Sequence, residues 1–115
     1  MDKILINVFF IVAFSITLAA QGNTVRIASF KAYGNCSQCK SRIENALKIK
    51  EVKRVQWIKS NKMVTVAYSP SAITVDSLQK RVAAVGHDTE KFKALDSVYS
   101  ELPECCKYRN KTKKH

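Results

Sequence analysis

Between Thr24 and Lys93 the spacing of apolar residues passes from strand alternation to a helical stripe and back, and then does so a second time. Few folds accept that order. Thr24 to Lys31 is rich in β-formers. Its alternation changes phase between Val25/Ile27 and Phe30/Ala32, which predicts a strand with a bulge near Ala28. From Ser37 to Lys48 the apolar positions Cys39, Ile43, Ala46 and Leu47 share one helical face. Val52 to Ile58 and Met63 to Tyr68 read as strands of a hairpin across the polar break Ser60-Asn61-Lys62. Thr74 is placed to cap a helix carrying Val75, Leu78, Val82 and Val85, and Gly86 to stop it. Thr89 to Lys93 is read as a short last strand.

Strand, helix, strand, strand, helix, strand is the order of an α+β, ferredoxin-like β-α-β-β-α-β sandwich. The expected architecture is a four-stranded antiparallel sheet with two helices on one face. After Ala94 the periodicity stops, apart from a helical turn at Ser97 to Leu102. The domain is therefore expected to span 21–93, followed by a basic tail, 94–115, that contains Cys105 and Cys106.

Ahead of the domain, Ile4 to Leu18 is nearly free of charge and is followed by Ala19 and Ala20, the pattern of a signal peptide over 1–20. The expected location is periplasmic or secreted. The formal charge of +11 is unaffected by removal of that segment, which holds one acid, Asp2, and one base, Lys3. In a cytosolic chain such charge would suggest nucleic acid. Export argues against that partner and leaves an acidic protein surface, a solvated face, or an anionic membrane met by Lys107, Arg109, Lys111, Lys113 and Lys114.

All four cysteines follow the signal segment. A bond between Cys105 and Cys106 would be strained, because adjacent Cα atoms lie about 3.8 Å apart whereas a relaxed disulfide wants about 5.5 Å. Cys36 and Cys39 instead fall at the start of the first helix, where free amides and the helix dipole favour thiolates. Two thiolates with no histidine or carboxylate close in sequence are incomplete for tetrahedral zinc and suit a two-coordinate soft ion. Cu(I) is the first expectation, with Hg(II) and Zn(II) as alternatives. Cys-x-x-Cys alone also serves disulfide exchange or a structural bridge.

Around that pair the chain resembles the heavy-metal-associated domain family of copper chaperones, copper-pump modules and the periplasmic mercury-binding protein. The resemblance rests on Gly34-Asn35-Cys36-Ser37-Gln38-Cys39, Arg42-Ile43-Glu44-Asn45-Ala46-Leu47, Val64 through Pro70, and Val85-Gly86-His87-Asp88. It implies that Cys36 and Cys39 bind the metal and pass it by ligand exchange to a metal-transporting membrane protein or a similar domain. Where the family usually has Gly-Met-Thr before the first cysteine, this chain has Tyr33-Gly34-Asn35.

Three further residues are candidates for the site. In this fold the loop carrying His87 lies beside the metal loop, so the imidazole is placed as a third ligand or a supporting donor. Cys105 and Cys106 can fold back over the first pair or bridge two molecules around shared metal, which leaves a monomer or a metal-bridged dimer. Neighbouring side chains in an extended tail point apart, so the pair need not act on one ion. The competing readings are a thiol-disulfide oxidoreductase and a disulfide-stapled structural domain. No Ser-His-Asp set, paired carboxylates or glycine-rich phosphate loop is visible, so an enzyme is not expected.

Overall fold

The computed structural model describes residues 24–111. The expected signal segment, 1–20, and the end of the basic tail lie outside those residues. Among the described residues, no helix is long and apolar enough to cross a membrane.

Strands β1 (Arg26–Lys31), β2 (Val52–Ile58) and β3 (Met63–Tyr68) form an antiparallel sheet in the order β1-β3-β2. Helix α1 (Ser37–Ala46) follows β1, and α2 (Val75–Ala84) follows β3. The α1 stripe buries Cys39 and Ile43, and that of α2 buries Leu78 and Val82. They join Phe30, Trp57, Val64 and Val66 from one face of the sheet in a single apolar cluster. Each such side chain contributes about 1.5–3 kcal/mol by leaving water. Thr74 caps α2 by accepting the Ser77 amide at 3.1 Å. Gly86 ends the helix with φ at 107°, a conformation that strains any residue with a Cβ.

The expected bulge in β1 is absent. Its register with β3 runs unbroken from Arg26↔Tyr68 to Lys31↔Met63, and the irregularity lies in β2 between Val52 and Arg54. The phase change in the sequence has another cause. Phe30 and Ala32 face the core, while Val25 and Ile27 are apolar residues on the exposed side.

The expected fourth strand is also cut short. Beside β1 only Thr89 forms a bridge, to Ala32. Glu90 replaces the next ladder bond with its side chain, as its carboxylate accepts the Lys31 amide at 2.9 Å. Thr89 turns the chain at once, its hydroxyl accepting the Phe92 amide at 3.0 Å. Side chains that bond to nearby backbone in this way compete with a ladder.

Packing does not stop at the boundary expected near Ala94. One-turn helices α3 (Asp96–Tyr99) and α4 (Tyr108–Lys111) flank a 3₁₀ turn, Glu104–Cys106. Tyr99, Leu102, Cys106 and Tyr108 belong to the same core cluster as the sheet and helices. The segment is a strap across the end of the domain. Leu102 lies against Gly86 so closely that a Cβ there would come within 2.9 Å of its Cδ2.

Candidate metal centre

Cys36 is the N-cap of α1, in extended conformation, and Cys39 lies in the first turn with its side chain buried. The loop before them is held from three sides. Lys62 Nζ donates to the Gly34 carbonyl at 2.6 Å, Trp57 Nε1 donates to the Ala32 carbonyl at 2.8 Å, and the Asn35 amide donates to Cys39 Sγ at 3.2 Å. Glu44 ties α1 to β2 by accepting from Lys40 Nζ at 2.6 Å and from the Trp57 amide at 2.9 Å. Gly34 stands where the family usually has methionine. A Cβ at that position would come within 2.8 Å of Cys39 Cβ and 3.3 Å of the Trp57 ring, so Trp57 and Cys39 already fill the space.

The strap brings the second cysteine pair onto the first. Cys36 Sγ lies 3.3 Å from Cys39 Sγ, 2.7 Å from Cys105 Sγ and 3.5 Å from Cys106 Sγ, and Cys39 Sγ lies 2.7 Å from Cys106 Sγ. All four cysteines are free thiols. The 3₁₀ turn explains why neighbours expected to point apart do not: it coils Cys105 and Cys106 to one side, their sulfurs 4.0 Å apart. Asn35 fixes the strap from the metal loop, its Nδ2 donating to the Cys105 carbonyl at 3.3 Å.

Burial alone would raise the Cys36 thiol. Hydrogen bonds from Cys105, from the Cys39 amide and thiol, and from Cys106 outweigh it and lower Cys36 to about 6. Cys106 moves the other way, raised by burial and by its bonds to Cys39 and Cys36. Cys105 is raised by its bond to Cys36, with burial adding to the effect. The cluster thus holds a thiolate at its rim and protonated donors behind it. Its donor set is soft sulfur, which fits a thiophilic ion.

His87 is fully buried but lies apart from the sulfur cluster, whose mutually close ligand atoms come from Cys36, Cys39 and Cys106. Its Nδ1 sits 2.7 Å from the Tyr33 carbonyl, its ring stacks on Tyr108 at 5.5 Å, and its Nε2 has no hydrogen-bond partner. Burial holds the imidazole below its usual pKa, so the neutral ring with Nδ1–H donating to Tyr33 suits the site. In this arrangement His87 supports the loop that leads into Cys36.

Sequence reasoning missed the residues that seat the strap. Tyr108 donates its hydroxyl to the Gly86 carbonyl at 2.9 Å and accepts the Asp88 amide at 2.8 Å. Arg109 pairs with Asp88 and donates to the Ala94 carbonyl at 2.9 Å. Tyr99, Leu102 and Tyr108 were the available signal, but their spacing follows no single period.

No protein-family model and no curated protein matches the sequence, but solved structures do. The N-terminal domain of a potential copper-translocating P-type ATPase from Bacillus subtilis, solved in the Cu(I)-loaded state, is 30% identical with a TM-score of 0.55. The match covers 65% of this chain and 96% of that one. A CopZ metallochaperone is 27% identical with a TM-score of 0.53, covering 56% of this chain and 98% of that one. Oxidized MerP from Ralstonia metallidurans CH34, at 20% identity, TM-score 0.54 and coverage of 58% and 96%, supports the fold alone. With the cysteine cluster at the start of α1 and a domain matched over nearly its whole length, the chain belongs to the heavy-metal-associated domain family.

Proposed function

We propose that the protein binds a soft metal ion, Cu(I) first among them, through the thiolates of Cys36 and Cys39, and carries or sequesters it in the cell envelope after export. The observation that carries this reading is the convergence of thiols at the N-terminus of α1, with the Asn35 amide on Cys39 Sγ and Cys36 lowered to about 6. Thiolate ligands select Cu(I) and Hg(II) over hard cations. The ATPase domain supplies the copper context by its similarity, and the CopZ metallochaperone that of a metal carrier. The proposed partner is a metal-transporting membrane protein or a domain of the same kind, which takes the ion by ligand exchange. The protein then acts as a carrier rather than as a catalyst.

Anaerobic titration of the reduced protein with Cu(I), Hg(II) and Zn(II), followed by native mass spectrometry, tests the assignment. One Cu(I) per chain is expected, and replacing Cys36 and Cys39 together with serine should abolish tight uptake. Unchanged uptake by the double variant would reject the site. A second reading draws on the close approaches of Cys36 to Cys105 and of Cys39 to Cys106: in an oxidising compartment these pairs would be structural cross-links. Counting free thiols in protein taken directly from its native compartment separates the two.

A further inference from the structure

The strap gives the metal centre a ligand that a two-cysteine loop lacks. Cys106 Sγ lies 2.7 Å from Cys39 and 3.5 Å from Cys36, and single ligand atoms from these three residues all fall within 4.8 Å of one another. Cys39 and Cys106 are both fully buried. Cys105 is different. It is half-buried, approaches Cys36 from the rim, and lies outside the mutually close set.

The placement of Cys106 is over-determined. Leu102 is packed against Gly86, the Cys105 carbonyl accepts from Asn35, and Tyr108 bonds to both Gly86 and Asp88. These anchors lie on both sides of Cys106 along the chain. The 3₁₀ turn between them leaves its sulfur facing the metal loop.

We propose that Cys106 is the third sulfur ligand of the metal centre, delivered by the strap and giving up its thiol proton to solvent as the ion binds, so that an ion accepting three sulfurs is held in a closed site. The ions of that class are Cu(I) and Hg(II), both thiophilic. The proposal rests on the reading of Cys36 and Cys39 as ligands. The competing role for Cys106 is that of a small apolar residue filling the core.

The test uses the reduced full chain loaded anaerobically with one equivalent of Cu(I). X-ray absorption of the wild type should give three sulfur neighbours around copper, and Cys106→Ala should give two. Alanine keeps the site apolar and small, and the wild-type spectrum needs no variant at all. Because a tethered ligand acts at high effective concentration, its loss should speed removal of copper by a competing chelator on the order of 100-fold. Bound copper with two sulfurs in the wild type would overturn the third ligand while leaving Cys36 and Cys39 in place. Failure of the wild type to bind copper would overturn both. A Cys106→Ala spectrum identical to a three-sulfur wild type would assign the third sulfur elsewhere and overturn the proposal.

Discussion

Arg109 grips Asp88 with two nitrogens, Nη2 to Oδ1 at 2.8 Å and Nε to Oδ2 at 3.1 Å. The pair joins the last described turn of the chain to the loop after α2, and so fastens the strap three residues beyond Cys106. Both side chains are largely shielded from water, where a bidentate pair keeps more of its strength than on an open surface. Arg109 also donates from Nη1 to Asp96, but that carboxylate is almost fully exposed and adds little.

Asp88→Asn should therefore loosen the strap at a cost of about 2 kcal/mol, the usual worth of a hydrogen bond to a charged group. Burial would raise the Asp88 carboxyl, but the Arg109 bond and the Ala94 amide hold it below its usual value. A lowered carboxylate gives stability that is complete above the unfolded pKa near 4 and is lost as pH falls through the lower folded value. Urea unfolding of wild type and variant at pH 7 and in acid measures both effects. The difference between the proteins should shrink as the pH drops below 4. Amide exchange in Tyr99 to Tyr108 should quicken in the variant at neutral pH, and an unchanged strap would show that the pair does not hold it.

The ends of β2, β3 and α2 were readable because alternation, a polar turn and the Thr74 and Gly86 signals agreed at each of them. β1 misled because Val25 and Ile27 are apolar on the exposed side, so the pattern mimicked a bulge. The fourth strand was lost to the side chains of Thr89 and Glu90, whose competition with a ladder leaves no mark in hydrophobic spacing. Cys36 and Cys39 could be found from their place at a helix start. The approach of Cys106 was only one of the options the sequence left open, because it depends on a single 3₁₀ turn and on contacts made by Leu102, Tyr108 and Arg109 across long stretches of chain.

Gly34 offers a test of how tightly the metal loop is packed. A methionine restored at this position would follow the family pattern, yet the first added carbon already meets Cys39 Cβ at 2.8 Å. Gly34→Ala and Gly34→Met should each destabilise the fold by about 1–3 kcal/mol, as overpacking of a filled core does. Both should also weaken metal binding, since the displaced atom belongs to a proposed ligand. Thermal unfolding of the metal-free protein and chelator competition of the loaded one give the two readouts. Tighter binding in Gly34→Met would mean that Cys39 moves freely and that the loop is not rigid.

Cys36 should be the thiol that electrophiles reach first. It is half-buried, whereas Cys39 and Cys106 are fully buried, and it is lowered to about 6 while Cys105 and Cys106 are raised. A low pKa does not translate directly into a fast reaction. The thiolate fraction rises, but intrinsic nucleophilicity falls, by roughly twentyfold for a lowering from 9.0 to about 6. The informative quantity is therefore the pH at which alkylation turns on, not its absolute rate. Iodoacetamide labelling of the reduced protein, mapped by peptide mass spectrometry, should show Cys36 modified with a midpoint near pH 6. Cys106, raised by burial and its sulfur contacts, should stay unlabelled across neutral pH until the protein unfolds. In Cys105→Ser the Cys36 midpoint should move, because the Cys105 thiol is the strongest of the bonds that lower it. A Cys36 midpoint at the ordinary thiol value in the wild type would mean that the two cysteine pairs are not in contact in solution.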